Sequence, residues 1–396
     1  MTGVLRLGLL LLAGVPVLVA AQRPASESLD TLVARAARDS NDATTHYALA
    51  MGYWEKKKWD EAERALRTAI LVAPSYAEAY LALGILPMVR GERYWKDRAK
   101  RDGPEALSAA FTEAELFYRR AFQLNPLVDL SILGKAQEAG PDIISRPGGF
   151  AIRIRPFWER EFLKALNEFQ EVRYDAAFNR LNALVTRQEW GGAYENVASP
   201  VLWFHGLAAA HLGQYDVAVH DFAVLTGRAY ATEEEAAAEG IPLATNDFRY
   251  LLATMLYLAG RHDQAIPVFQ RALEFDIGLY AAHVQLARIH EAAGRLEEAL
   301  RERQRAVDVN AEQADPRVDL ATTLLRLGRN TEALEALTVA EGMNRRDARI
   351  PYLRGVVAFH VGDSAQGRAA FERFLAIAPS RMTEQVAEVR ARLGAP

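Results

Sequence analysis

The stretch LAGRHDQAIPVFQRAL, Leu258 to Leu273, decides the fold because its skeleton returns along the chain. Thirty-four residues on, Ala292–Val307 reads AAGRLEEALRERQRAV, and after the same step Arg326–Glu341 reads RLGRNTEALEALTVAE. Gly260, Gly294, Gly328 and Gly362 stand 34 apart, as do Ala265, Ala299, Ala333 and Gly367. Leu252, Leu286 and Leu320 keep the step, and so do Ala253, Ala287, Ala321 and Gly355. Several columns in one register mark a stacked array. A period of roughly 20–50 residues is the signature of units that bury their faces on their neighbours.

One period reads as a helix pair. In NDFRYLLATMLYLAG, Asn246 to Gly260, the residues Tyr250, Leu251, Thr254, Tyr257 and Leu258 recur at helical spacing. Gly260 ends that helix, where a residue free to take positive φ is favoured. The next residues, RHDQAIPVFQRALEF, predict a second helix with Ala265, Phe269, Ala272 and Leu273 on one face. Pro267 falls early in it, where a missing N–H costs little. Ala253 and Ala265 mark the crossing, because only small side chains let two helices approach closely.

This pattern resembles the tetratricopeptide repeat family, which asks for a large residue, then Leu, a small residue and Tyr, then Ala, an aromatic and Pro. The copy from residue 43 carries His46, Leu49, Ala50, Tyr53, Trp59, Ala62, Leu66, Ala69 and Pro74. A second opens at Leu83-Gly84 and closes with Ala114, Tyr118, Ala121 and Pro126. Pro74 and Pro126 are 52 apart, one period plus 18, so an insert is expected near 88–108. Its basic run from Arg90 to Arg101 reads as a solvated loop. Residues 127–198 depart from the pattern. Ile152 and Ile154 alternate there with Arg153 and Arg155, as in a short strand or extended loop, and a degenerate helix pair follows. Five copies run through 199–379. A second insert near 230–242 interrupts them, where Thr232 and Glu235 suit a capping box. Residues 380–396 predict a terminal capping helix.

The resemblance implies an all-α fold, a right-handed superhelical solenoid of antiparallel helix pairs with two inserts and one irregular segment. Seven repeats are clear and one is degenerate. The pentatricopeptide type also pairs helices and reads RNA. Its period differs by one residue, and an acidic, secreted chain suits RNA poorly.

Half of the 396 residues are hydrophobic and a quarter charged, the balance of a folded soluble protein. A net charge of −4 argues against a phosphate-binding surface, so no nucleic-acid partner is expected. The chain has no cysteine. Disulfides, thiolate chemistry, cysteine zinc sites and a cysteine-linked lipid anchor are excluded. At the N-terminus Arg6 precedes an apolar core, Leu7 to Ala21, that ends in Val19-Ala20-Ala21 before Gln22. Residues 1–21 therefore read as a signal peptide cleaved after Ala21, and the chain as periplasmic or secreted. That core falls short of the roughly 20 residues that span a bilayer. Residues 22–42 read as a linker or short helix.

Catalytic motifs do not assemble. His290-Glu291 begins like a zinc-protease motif, but Gly294 stands where the second His belongs. His205 and His211, six apart, fall on different helix faces, and His283 and His290 share a face without a third ligand. GxSxG, GxxxxGK[ST] and GxGxxG are missing. No catalytic residue, metal or cofactor is expected.

The resemblance implies that the first helix of each pair lines a concave surface. Residues seven apart there form a stripe: Tyr47 and Trp54, Leu81 and Met88, Trp203 and Ala210, Tyr250 and Tyr257, Val284 and Glu291, Val318 and Leu325, Tyr352 and Phe359. The aromatics Tyr47, Trp54, Trp203, Tyr250, Tyr257, Tyr352 and Phe359 are the expected partner-binding residues, since Trp and Tyr anchor interfaces. Tyr, Trp, Val and Leu stand where a carboxylate clamp would need Lys, Arg and Asn. The expected function is a secreted, non-enzymatic scaffold that binds another protein or peptide segment. One rival reading is a part of a cell-envelope polysaccharide or outer-membrane assembly system. The other is an enzyme with its site in residues 127–160.

Overall fold

The computed structural model describes residues 27–394, apart from 104, 134–141, 147–148, 154–156, 188–189, 191–192 and 228–244. The signal segment 1–21, the insert near 230–242 and its capping box lie outside the described residues. Helix α1 (Leu29–Arg38) leads into eight antiparallel pairs. These are α2 (Ala43–Glu55) with α3 (Trp59–Val72), α4 (Ala77–Asp102) with α5 (Glu105–Leu124), and α6 (Phe157–Gln170) with α7 (Tyr174–Val185). Next come α8 (Ser199–His211) with α9 (Tyr215–Gly227), α10 (Thr245–Leu258) with α11 (His262–Phe275), and α12 (Tyr280–Ala292) with α13 (Leu296–Val309). The last are α14 (Asp315–Arg326) with α15 (Asn330–Met343) and α16 (Arg349–His360) with α17 (Ser364–Ile377), after which α18 (Thr383–Leu393) closes the array. Among the described residues one hairpin interrupts the helices: β1 (Asp142–Arg146) pairs antiparallel with β2 (Gly149–Arg153), Ile143 opposite Ile152.

The turn inside every pair but α4–α5 is built the same way. Gly213, Gly260, Gly294, Gly328 and Gly362 all have positive φ. The residue after each donates its N–H to the carbonyl five residues back, as in Arg261 to Leu256 at 2.9 Å and Asp363 to Ala358 at 2.8 Å. This is the αL closure that satisfies a helix's orphan carbonyls. In α2–α3 and α6–α7 the left-handed position falls on Lys57 (φ 55°) and Val172 (φ 62°). The same bonds form there, Lys58 to Tyr53 at 3.0 Å and Arg173 to Glu168 at 2.9 Å. The turn geometry thus outlasts the glycine that favours it.

Where the paired helices cross, Ala50 and Ala62, Ala253 and Ala265, Ala287 and Ala299, and Ala321 and Ala333 are wholly buried. The last pair has Gly355 and Gly367 instead. A Cβ at Gly355 would lie 2.3 Å from the Phe371 ring, and one at Gly367 2.7 Å from Phe359. The two rings stack at 5.3 Å in the space that the missing methyls leave.

The first insert corrects the loop expectation. Helix α4 runs unbroken through Arg90–Arg101 to Asp102, past Pro87. Lys, Arg and Ala are strong helix formers, so the added residues prolong the helix. Proline has no N–H for the Leu83 carbonyl, but Leu83 and Leu86 are buried and the Trp95 indole N–H caps the Pro87 carbonyl at 2.8 Å. Arg90 is buried and pairs with Asp60 (3.1 Å) and Glu63 (2.5 Å) of α3.

A non-glycine residue in the left-handed region costs roughly 1–2 kcal/mol, most acutely when β-branched. Val172→Gly is expected to raise stability by about 1 kcal/mol after glycine's own entropy loss, and the melting temperature by about 2 °C. A thermal melt that shows no rise or a fall would mean that Val172 is not strained.

Candidate interaction surface

The stripe expected along the inner face divides into two classes. Trp203 and Tyr250 are both 3% exposed, so they cannot offer a docking surface. What covers them is the chain's own segment at and beyond the end of α5. The Tyr250 hydroxyl donates to the Gln123 carbonyl at 2.8 Å, and the Phe122 ring lies 6.5 Å from that of Trp203. Leu127, Val128 and Leu130, which follow, are buried in the same hydrophobic cluster. Leu81 and Val318 are buried as well. These positions serve the core, which corrects the assignment of Trp203 and Tyr250 to a partner.

The remaining aromatics are half-buried, and each leans on a neighbour. Tyr47 meets Tyr76 edge-on at 5.5 Å, and Trp54 meets Trp59 likewise at 5.5 Å. Tyr257 stacks on His262 at 5.3 Å. The Tyr352 hydroxyl donates to Glu388 at 2.7 Å, and Phe359 stacks on Phe371. Intramolecular packing fixes these rings while leaving part of each uncovered. Rings so fixed lose little conformational entropy on binding.

The inner face is also ionic. Arg303 of α13 is buried and grips Glu291 with Nε and Nη2 at 3.1 and 3.2 Å, while its Nη1 reaches Asp319 at 3.0 Å. Thr323 donates to the same Glu291 at 2.7 Å. Burial opposes the charge on Arg303, yet Asp319 and Glu291 hold its guanidinium above the ordinary value. Arg349 likewise pairs with Asp315 and Asp347. A carboxylate on a partner would have to displace these acids, so the cluster reads as structural.

A seam joins distant parts of the array. Asn41 Nδ2 donates to the Ile377 carbonyl at 2.9 Å, Ser380 N–H to Asp39 at 3.1 Å, and Arg381 pairs with Asp42 at 3.3 Å. Further along, Asn344 Nδ2 donates to the Leu71 carbonyl at 3.1 Å. Arg120 then donates to Gln313 at 2.8 Å and lies 4.0 Å over the Tyr280 ring. The order runs antiparallel: as the first bank advances from 39 to 123, the second retreats from 381 to 250. The first two pairs are therefore folded back along the last four. No local pattern signals these residues, because a periodic reading relates each unit only to its neighbours.

The histidines are packing elements. His205 Nδ1 is hydrogen-bonded to Asp221 at 2.8 Å while its ring stacks on Phe178, and the Tyr194 hydroxyl donates to the same Asp221. His283 bonds Glu302 at 2.7 Å. His211 stacks on Tyr174 at 3.9 Å. Among the described residues no three His, Asp or Glu side chains are grouped to hold a metal. None of the described helices is long and apolar enough to cross a membrane.

Profiles of the tetratricopeptide repeat family match residues 47–126, 205–279 and 318–381, and a further one matches 256–306; together they take in more than half of the chain. No curated protein matches it. Among solved structures, the chain is similar to a tetratricopeptide repeat protein from Parabacteroides merdae at 11% identity and TM-score 0.37, over 75% of this chain and 98% of that one. TTC0263, a tetratricopeptide repeat protein of Thermus thermophilus, is similar at 20% identity and TM-score 0.32, over 48% and 95%. MamA of AMB-1 is similar at 17% identity and TM-score 0.33, over 43% and 85%.

Burial lowers the His211 imidazole to about 4, whereas an unfolded histidine titrates near about 6.5. As pH falls through that window, the unfolded chain takes up a proton that the folded one refuses. Stability is lost between about 6.5 and 4 and levels off below. His211→Phe keeps the stack on Tyr174 and removes the proton site. Its urea midpoint is expected to vary less with pH over that window than that of the parent chain; an unchanged slope would assign the acid sensitivity elsewhere.

Proposed function

The chain belongs to the tetratricopeptide repeat family, and from that premise we propose that it is a cell-envelope scaffold holding another protein against its inner face. The observation that carries this reading is the set of half-buried rings, Tyr47, Trp54, Tyr257, Tyr352 and Phe359, each left partly uncovered. Aromatic anchors held rigid by their neighbours favour an extended or helical protein segment with apolar side chains. The ionic groups nearby are already matched within the chain, which disfavours a partner recognised by charge alone. Placement in the envelope rests on the leader-like pattern of residues 1–21 and agrees with a chain free of cysteine.

The test uses the chain from Gln22 onward with a photo-crosslinking residue at Trp54, Tyr257 or Tyr352, and at the exposed outer Glu335 as control. In envelope extract one protein is expected to crosslink from the three inner positions and not from Glu335. Trp54→Ala is expected to weaken its binding by about tenfold or more, the loss typical of a Trp anchor. Equal crosslinking from Glu335, or none from any inner position, would end the proposal. Binding to a glycan array with no protein captured would replace the protein partner by a polysaccharide.

A further inference from the structure

The seam changes character along its length. At its inner end it is aromatic and buried: Tyr250 and Tyr280 are 3% and 8% exposed, and Phe122 and Trp203 pack beside them. One hydrophobic cluster there runs without a break from Ala77 of α4 to Ala306 of α13. At its outer end the seam is polar. Asn41, Asp39, Asp42, Ser380, Arg381 and Asn344 make the contacts, and the Arg381 side chain is 54% exposed. The hydrophobic cores on the two outer banks are separate. The α2–α3 pair has its own cluster, from Ala43 to Leu83, while α14–α18 hold two others. Nothing apolar ties the first pair to the last among these clusters.

An ion pair whose arginine is half exposed contributes little and weakens with salt, and a few polar bonds, even with Asp42 and Asn344 themselves buried, join two banks less firmly than a continuous buried core. A join that is strong at one end and weak at the other opens at the weak end. We propose that the array is a clasp: the aromatic part of the seam is a hinge, and the polar part opens and closes to admit a protein segment to the inner face. The clasp rests on the partner reading above, but its movement is measurable without a partner. It also assigns a purpose to Asn41 and Arg381. Each reaches across to the opposite bank.

Because the sequence has no cysteine, labels can be placed cleanly. Spin labels at Ser75→Cys and Arg345→Cys, exposed turn residues on opposite banks, report the gap. Two distance populations are expected, the longer growing with salt and rising about tenfold in Asn41→Ala/Arg381→Glu. A single narrow distance in every condition and in that variant would overturn the clasp. Access is read at Thr322→Cys, one turn from Val318 on α14. Its modification by a polymer-bearing maleimide, read at residue 322 by peptide mass, is expected to slow when Asp39→Cys and Ser380→Cys are oxidised to a disulfide that holds the seam shut and leaves the reporter thiol free. An equal rate in joined and unjoined protein would also overturn it. Far-UV dichroism and melting of each variant check that the helices persist. If the gap opens and access is gated but no inner crosslink forms, the partner reading falls and the clasp stands. If a partner binds the joined protein as well as the free one, the clasp falls alone.

Discussion

Two helices can cross at short range only where neither sends a side chain into the gap. Ala253 against Ala265, Ala287 against Ala299 and Ala321 against Ala333 meet that condition at zero exposure. Everything else in the array follows from it. Close approach lets Phe269, Leu337 and Phe371, from the second helix of their pairs, sink fully into the core. It brings the end of one helix near the start of the next, so the turn must reverse within three residues. That reversal requires the left-handed backbone seen at Gly260, Gly294 and Gly328. The chain's willingness to impose the same geometry on Val172 measures how strongly packing governs the turn.

Such an array is usually a sum of neighbour contacts, each unit blind to those beyond the next. Here Arg120 meets Gln313 and Asn41 meets Ile377, contacts between residues 193 and 336 apart in the chain. They cannot form until the intervening pairs are in place, because closing so long a loop is entropically unfavourable before the units are rigid. The pairs α2–α3 to α16–α17 can nucleate locally. The seam can only follow, and it then couples units that local packing leaves independent. Acidic and basic groups on the inner face are matched in the same spirit: Arg303 is tolerable in the interior because Glu291 and Asp319 surround it.

The helix pairs, their turns and their crossings were legible in the sequence because each depends on residues within one period. Gly260 and Ala265 announce themselves by recurrence, and so does the glycine pair of the last copy. The inner stripe was legible as a direction and not as an exposure. Trp203 and Tyr250 do lie inward, but Phe122, Gln123 and Leu127–Leu130 fill the space before them. Phe122 and Gln123 end α5 and Leu127–Leu130 open the irregular region, and the destination of this segment is set by three-dimensional curvature that no spacing encodes. The burial of Arg90 is hidden from the sequence for a related reason. A basic run reads as solvated until Asp60 and Glu63, on another helix, are known to face it.

The last pair carries a constraint of a different kind. Phe359 and Phe371 fit only because Gly355 and Gly367 vacate the crossing, and the glycines are tolerable only because the rings fill what they leave. Any one of the four exchanged for its counterpart in the preceding unit, Ala321, Leu325, Ala333 or Leu337, produces either a clash or a void. A grafted or duplicated copy of this segment must therefore carry all four residues together. In any shuffling of the array by recombination, the last pair travels as an indivisible block while its alanine-crossed neighbours remain interchangeable at this position.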